Sequence, residues 1–288
     1  MNFKIKYDQY LKYFNDGLTD YLEEIKDSSN VLSTAIEYTV IGGGKRVRPV
    51  LCLSTADALG VDLKKALPHS LAVEFIHSYS LVHDDLPSMD NDDYRRGKLS
   101  THKKFGEAVG VLTGDALLNL AFETVLSKKD FDLLDGKALQ ILADFAGKNG
   151  MIKGQILDLE GEKSNDITEM KLYDIVINKT AKLITAPLLI SSVLAGGKYF
   201  DLLKEYGYNL GFLFQITDDI FDVTETLESI GKTPNKDTNK ITAVNVYGLE
   251  NARLKAKEYY QKAFNLIKDI KEFEFLREFT EYIYNRKN

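Results

Sequence analysis

Apolar residues recur at three- and four-residue intervals along nearly all of this 288-residue chain. That is the period of an α-helix, and it leaves little room for a sheet. Only five prolines interrupt the pattern, and long stretches free of glycine argue against a loop-rich β architecture. Helices are predicted over Tyr7–Ile25, Ser33–Val40, Pro49–Leu59, Pro68–Asp84, Glu107–Leu126, Leu133–Ala146 and Met151–Leu159. Asp166 followed by Glu169 has the spacing of a capping box and opens a long apolar helix ending at Gly196-Gly197. Later helices are predicted over Tyr199–Val223, Leu249–Lys268 and Phe273–Arg286, while Leu86–Gly106 and Leu227–Lys240 read as irregular. No repeat or compositional break divides the chain, so one all-α domain over residues 1–288 is the simplest expectation. Its apolar helices outnumber those of a four-helix bundle, so some must be buried on every side.

The formal net charge of -6 argues against a nucleic-acid partner. An anionic ligand must then be held by local cations. One cysteine, Cys52, permits neither an internal disulfide nor a cysteine metal cage and fits a reducing compartment. The N-terminus runs into charged residues without an apolar signal core, and a cytoplasmic location is expected. The longest uncharged apolar stretch, between Lys182 and Lys198, is too short for a membrane span and contains Pro187.

Two acidic clusters follow apolar helical runs. The first is Asp84-Asp85-Leu86-Pro87-Ser88-Met89-Asp90, with Asp92 and Asp93 beyond; the second is Asp218-Asp219-Ile220-Phe221-Asp222. Asp218 and Asp222 share a helix face, joined by Gln215. Asp84 and Asp90 do not share a face of a straight helix, but Pro87 distorts the turn and lets Asp90 swing back beside Asp84. One such cluster reads equally well as a solvated acidic face. Two, each with basic neighbours, point to a hard cation such as magnesium, which takes one or two carboxylates and shares its shell with waters and phosphate oxygens.

Basic residues able to hold diphosphates stand nearby. Gly42-Gly43-Gly44-Lys45-Arg46-Val47-Arg48-Pro49 is a flexible loop, three cations and a helix start, which suits an anion, although a solvated basic turn has the same composition. Arg95 and Arg96 follow the first acidic cluster, where salt bridges to Asp92 or Asp93 are the plainer reading. His77 and Ser80 precede Asp84 by seven and four residues and line its helix face. Lys179-Thr180 and Lys232 are unremarkable in isolation.

Together these residues resemble the trans-prenyltransferases, in particular bacterial short-chain farnesyl diphosphate synthases. The segments that carry the resemblance are GGGKRVRP, EFIHSYSLVHDDLPSMDNDDYRRGKLSTHKKFG, GEAVGVLTGDALLNLAFE, KGQILDLEGE, NKTAKL, and LGFLFQITDDIFDVTE followed by GKTPNKD. The resemblance implies an all-α isoprenoid-synthase bundle around a deep central cavity, usually a homodimer, with the aspartate motifs facing each other. It implies three magnesium ions with bound diphosphate, held by Asp84, Asp90 and Asp218, with Asp85, Asp219 and Asp222 supporting or sharing that shell. Lys45, Arg48, His77 and Arg96 would hold isopentenyl diphosphate. Arg95, Lys179, Thr180, Gln215 and Lys232 would face the allylic diphosphate, and the basic tail Tyr284-Asn285-Arg286-Lys287 would close over the site. Two departures stand out: Ala181 follows Thr180 where a glycine is common, and Ile241-Thr242-Ala243-Val244-Asn245 replaces a Thr-Tyr-Pro-like run.

The implied reaction joins isopentenyl diphosphate head to tail to dimethylallyl and then geranyl diphosphate, giving farnesyl diphosphate. Geranylgeranyl diphosphate is the alternative product. Residues below Asp84 act as depth marks, since a helical turn rises ~5.4 Å: Ser80 one turn down, Ile76 two, and Tyr79 projecting a ring that either floors the cavity or packs the core. A terpene cyclase would need no second diphosphate pocket. A noncatalytic subunit would lack an aspartate cluster or the basic loop, and a structural metal-binding protein would take magnesium without diphosphate.

Overall fold

The computed structural model describes residues 3–41, 43–163, 166–228 and 240–286. The chain divides into two compact units, Met1–Leu139 and Gln140–Asn288. Both are helical; among the described residues the one sheet is a two-stranded ladder.

The first unit contains α1 (Phe3–Glu24), α2 (Val31–Val40), α3 (Val47–Ala58) and α4 (Leu63–Asp84), then β1 (Tyr94–Arg95), β2 (Lys98–Leu99), α5 (Thr101–Phe105) and α6 (Glu107–Leu126). α4 begins ahead of Pro68, which therefore lies inside it. Asp62 is the cap: its carboxylate accepts the Lys64 N–H at 2.9 Å, and the apolar period extends back through Leu67, Ala66 and Leu63. α4 is buried on nearly every side, with Ala72, Val73, Phe75 and Ile76 wholly enclosed, as expected of a central helix. α6 packs along it. Gly114 makes that approach possible, because a Cβ there would lie 2.0 Å from His83 Nε2. By length and composition α6 would also cross a membrane, with 44% of its apolar window buried. Here it packs on α4, α2 and α5 of a globular unit and carries Glu107, Asp115 and Glu123. Leu86–Gly106, expected to be irregular, holds both strands and α5.

α7 (Leu133–Ala146) contains the boundary between the units. The second unit continues with α8 (Met151–Glu162), α9 (Glu169–Ile175), a π-helical turn (Val176–Ala181), α10 (Lys182–Leu194), α11 (Phe200–Glu228), α12 (Ala243–Tyr247), α13 (Leu249–Ile267) and α14 (Glu274–Asn285). The long apolar helix expected after Asp166 is thus interrupted by the π turn. Its cap is Thr168, whose hydroxyl accepts the Lys171 N–H at 3.3 Å, in place of Asp166. α10 is buried from Leu183 to Ser192. α11 packs on α10 and α13 through Leu203, Tyr206, Leu210 and Leu213, a three- and four-residue spacing that defines its core face.

Candidate active site

In the first unit the acidic cluster starts where α4 stops. Asp85 is the C-cap, and a turn follows in which the Met89 N–H donates to the Leu86 carbonyl at 2.9 Å. Pro87 occupies the second position of that turn, where its fixed φ is an advantage. Asn91 takes a left-handed φ of 52° and donates its N–H to the Leu86 carbonyl at 3.1 Å. The chain thereby doubles back: the Asp90 N–H donates to the Asp84 carbonyl at 2.8 Å and the Asp92 N–H to the Asp85 carbonyl at 3.2 Å. The expected return of Asp90 to Asp84 is thus present in the backbone.

A tight hairpin supplies the cations. β1 and β2 pair Tyr94 with Leu99 and Arg95 with Lys98, and the two residues between them, Arg96 and Gly97, both have positive φ, 54° and 77°. That combination makes a turn whose twist matches the strands. Arg95 Nε donates to Asp85 Oδ1 at 2.9 Å, with Nη2 on the same oxygen and 3.5 Å from Asp92. The plainer reading of Arg95 therefore holds in part, with Asp85 as the main partner. Burial pushes the Asp85 carboxyl above its ordinary range against the pull of Arg95. Arg96 reaches the Gly43 carbonyl. A small pocket lies alongside, lined by Ser78, Val82, Asp85, Arg95, Arg96 and Lys98 among others.

The basic loop sorts its cations. Arg46 turns inward from a left-handed backbone, φ 48°: its guanidinium is 2.5 Å from the buried Glu74 carboxylate, bonds the Val40 carbonyl and lies over the Phe14 ring. Lys45 is left exposed and Arg48 half-buried. The Lys45 carbonyl accepts the Tyr7 hydroxyl, which ties the loop to α1. His77 keeps some accessible surface but lies deep among protein atoms, facing Arg48 and Arg96. Burial and these guanidinium groups hold it neutral, well below the usual imidazole range. Ile76, Tyr79 and Ser80 are buried. The Tyr79 hydroxyl has no hydrogen-bond partner among the described residues, and burial, aided by Asp84, pushes its pKa up to about 12.

The second unit builds its cluster differently. The π turn, a common device at functional sites, presents Asn178, Lys179 and Thr180. Gly154 lets α8 approach it, since a Cβ there would fall 2.2 Å from the Lys179 nitrogen. Gly211 on α11 likewise leaves room for Ala181, whose Cα would lie 2.4 Å from a Cβ at 211. Lys179 pairs with Asp158. The Thr180 hydroxyl donates to Gln215 Oε1 at 2.6 Å, and Gln215 Nε2 donates to Asp219 Oδ1 at 2.8 Å. Gln215 was expected on the Asp218 face; in the structure its amide serves Asp219, one turn along α11. Asp219 also accepts the Ala243 N–H at 2.7 Å. Burial, with Asp222 and Asp218 close by, pushes its carboxyl up to about 6 against those two donors.

Asp218 is part-exposed and Asp222 exposed. Arg286, its side chain 3% accessible, reaches Asp218 Oδ1 and donates to Thr217 Oγ1 at 2.9 Å and the Phe214 carbonyl at 3.2 Å. Its guanidinium lies over the Phe214 and Phe221 rings. Lys232 lies outside the described residues, as do Gly42, the GKTPNKD segment and Lys287.

Of the residues grouped from the sequence, the structure brings together Asp84 with Asp90 and Thr180 with Gln215. Sequence reasoning missed the inward turn of Arg46 to Glu74, the Asp158 partner of Lys179 and the Ala243 tether of Asp219. A short polar signal exists only for Asp158, one of the acidic residues that KGQILDLEGE places on an otherwise apolar helix.

The donors fit a hard cation. Among the described residues no three carboxylate, imidazole or thiol groups converge as a ready-made cage. Magnesium, which leaves much of its shell to water and phosphate oxygens, asks for no such cage. Oxygen donors from Asp84, Asp90, Asp218 and Asp222 suit it by type.

The polyprenyl synthetase family model matches residues 29–279. A farnesyl diphosphate synthase from Micrococcus luteus is 40% identical over 265 residues, 91% of this chain and 90% of that one. The large subunit 1 of a heterodimeric chloroplastic geranylgeranyl pyrophosphate synthase from Arabidopsis thaliana is 41% identical over 239 residues, and the match spans 80% of this chain and 64% of the plant protein. Among solved structures, a geranyltransferase from Legionella pneumophila superposes with a TM-score of 0.88 at 32% identity, covering 99% of this chain and 98% of the other.

Proposed function

The chain belongs to the polyprenyl synthetase family and is a prenyltransferase of the all-α isoprenoid-synthase fold, and we propose that it condenses isopentenyl diphosphate with dimethylallyl and then geranyl diphosphate to release farnesyl diphosphate. The observation that supports this most is the doubled-back first cluster, which returns Asp90 to Asp84 and sets Arg95 on Asp85.

In this reading Asp84, Asp90, Asp218 and Asp222 would hold magnesium, and Asp85 supports them while aiming the Arg95 fork. Bound magnesium supplies positive charge against the leaving diphosphate. Arg95, Lys179 and Lys232 donate to the same diphosphate, so the allylic C–O bond breaks with its electron pair on oxygen. Lys45, Arg48, Arg96 and the neutral His77 hold isopentenyl diphosphate with its double bond toward the allylic carbon, and holding the pair in line lowers the barrier further. Thr180 and Gln215 offer neutral oxygen dipoles to the positive carbon. An anionic nucleophile at that place would be alkylated. The new C–C bond forms, and the departed diphosphate takes the proton that regenerates a double bond.

Tyr79, buried five residues before Asp84, supports the shorter product. The plant relative favours the second reading, geranylgeranyl diphosphate. Incubating the purified chain with labelled isopentenyl diphosphate, magnesium and each allylic primer in turn decides between them by product sizing. A fifteen-carbon product is expected, a twenty-carbon one selects the alternative, and no condensation with any primer overturns both. Tyr79→Ala is expected to lengthen the product; unchanged length removes Tyr79 as the floor. A homodimer is expected from light scattering.

A further inference from the structure

Asp219 is 6% exposed, and both of its oxygens are engaged, Oδ1 by Gln215 Nε2 at 2.8 Å and Oδ2 by the Ala243 N–H at 2.7 Å. Its neighbours Asp218 and Asp222 remain accessible. An ionised carboxylate accepts hydrogen bonds and cannot donate them. The Gln215 amide must therefore turn its NH2 toward Asp219 and its oxygen away, onto Thr180 Oγ1 at 2.6 Å. An amide oxygen likewise only accepts, so the single Thr180 proton is spent on Gln215. What remains on the far side of Thr180 Oγ1 is lone pairs.

We propose that Asp219 is a positioning residue and not a metal ligand: its carboxylate imposes one direction on the Asp219–Gln215–Thr180 relay, so that oxygen lone pairs face the allylic carbon as positive charge develops. The inference rests on the prenyl-transfer reading and adds a cause for the polarity of that site. Without a fixed acceptor at 219 the Gln215 amide is able to flip. Thr180 would then accept from Gln215 and aim its own proton at the cation, which reverses the dipole where it matters most. The same carboxylate ties Ala243, the first residue of α12, to α11, so the relay is also fastened to the segment beyond Lys240.

The test uses the full chain and three variants: Asp219→Asn, Gln215→Glu and the two combined. Asp219→Asn is expected to lower kcat about 10–100-fold, the range seen when a supporting partner is lost. The half-saturating magnesium concentration and both KM values should stay within about twofold, because an interaction made only in the transition state has been removed. The double variant puts the carboxylate at 215 and the amide at 219. The amide then donates to the carboxylate, the carboxylate accepts from Thr180, and one negative charge is retained. It is expected to regain much of the unfolding stability that Asp219→Asn loses, the coupling expected of residues in one network, while its kcat stays low because an anionic oxygen at 215 stands beside the positive carbon.

If raised magnesium restores Asp219→Asn to wild-type turnover, Asp219 is a metal ligand and the proposal is overturned. Additive losses of stability in the double variant overturn it as well. If the wild-type chain condenses no prenyl diphosphates, the functional reading falls by itself. The relay is then judged by the same cycle on unfolding midpoints: a double variant more stable than the summed single effects upholds it, and additivity removes it.

Discussion

The two acidic clusters carry the same residue type, one where α4 stops and one within α11, yet they are held in opposite ways. Around Asp84 the constraint is local and made of backbone: Asp90 and Asp92 return their N–H groups to Asp84 and Asp85 within one turn of chain, and the nearest cation arrives from the adjoining hairpin. Around Asp218 the helix is continuous and the backbone makes no detour. There the constraint comes from side chains and amides: Gln215 one turn away on the same helix and, far away in sequence, Thr180, the Ala243 N–H and Arg286. A cluster fixed by its own loop keeps its shape when remote segments change. One fixed by remote partners couples the position of those segments to its chemistry, so substitutions should act differently in the two regions.

The bluntest way to break the comparison is to remove one carboxylate from each. Asp84→Ala and Asp218→Ala are each expected to lower kcat by about a thousandfold, the upper range for losing one charge-stabilising group, measured by incorporation of labelled isopentenyl diphosphate. If either variant keeps its turnover, the clusters do not serve one reaction and only the other belongs to the site.

Glycines sharpen the contrast at the next level. Gly154→Ala puts a methyl 2.2 Å from the Lys179 nitrogen. The π turn must move, and misplacement of catalytic groups by about 1 Å costs roughly a hundredfold in rate. Gly97→Ala meets nothing within 4 Å but keeps a φ of 77°. It should cost about 1 kcal/mol of stability through the left-handed backbone and leave turnover close to wild type. Equal effects of the two on kcat would mean that the hairpin, too, transmits strain to the chemistry.

Arg286 is the remote partner whose loss is read through metal dependence. Arg286→Gln removes the guanidinium from Asp218 while a shorter polar chain remains. The half-saturating magnesium concentration is expected to rise about tenfold, as when the partner of a ligating carboxylate is lost. A fall instead would mean that Arg286 competes with the metal at Asp218 rather than orienting the carboxylate.

The same division explains what could be read in advance. The helices were legible because burial imposes its period on every turn, and the first cluster was legible because its geometry follows from neighbours: Pro87 sets a turn, and Asp90 comes back. The second cluster was legible only as spacing along α11. Nothing near Asp219 announces Ala243, and nothing in GGGKRVRP says that Arg46 turns in to Glu74 while Lys45 stays out. Both are long-range pairings, decided by packing. The π turn at Val176–Ala181 was hidden because Asn178, Lys179 and Thr180 read as one polar turn of a continuing helix, between Val176-Ile177 and Leu183-Ile184. Asp166 misled for a related reason: Thr168 offers the same capping chemistry two residues later and lies closer to the first buried turn.

His77 tests the electrostatics of the first region. Burial and Arg48 and Arg96 depress its folded-state pKa below the unfolded value of 6.5. The stability gained by keeping it neutral is fully present above 6.5 and is lost as pH falls below it, because the unfolded chain then binds a proton that the fold refuses. Denaturant unfolding should show a stability that declines through this range in the wild type and declines less in His77→Gln. Identical slopes would place His77 in a more hydrated setting than its arginine neighbours allow.

The smallest effect concerns the hinge of the loop itself. Asn91 holds a φ of 52°, a conformation that asparagine tolerates better than most residues and glycine adopts freely. Asn91→Gly keeps the turn but loosens the unfolded chain, so stability should fall by about 0.5 kcal/mol, while Asn91→Ala, which adds strain to the folded state, should cost about 1 kcal/mol. Neither removes the N–H bonds that return Asp90 and Asp92 to the end of α4, so magnesium dependence should be unchanged in both. A local backbone device ought to tolerate a local change in this way. If Asn91→Gly were to raise the magnesium requirement as far as Arg286→Gln does, the first cluster would owe its shape to more than its own loop, and the contrast between the two regions would dissolve.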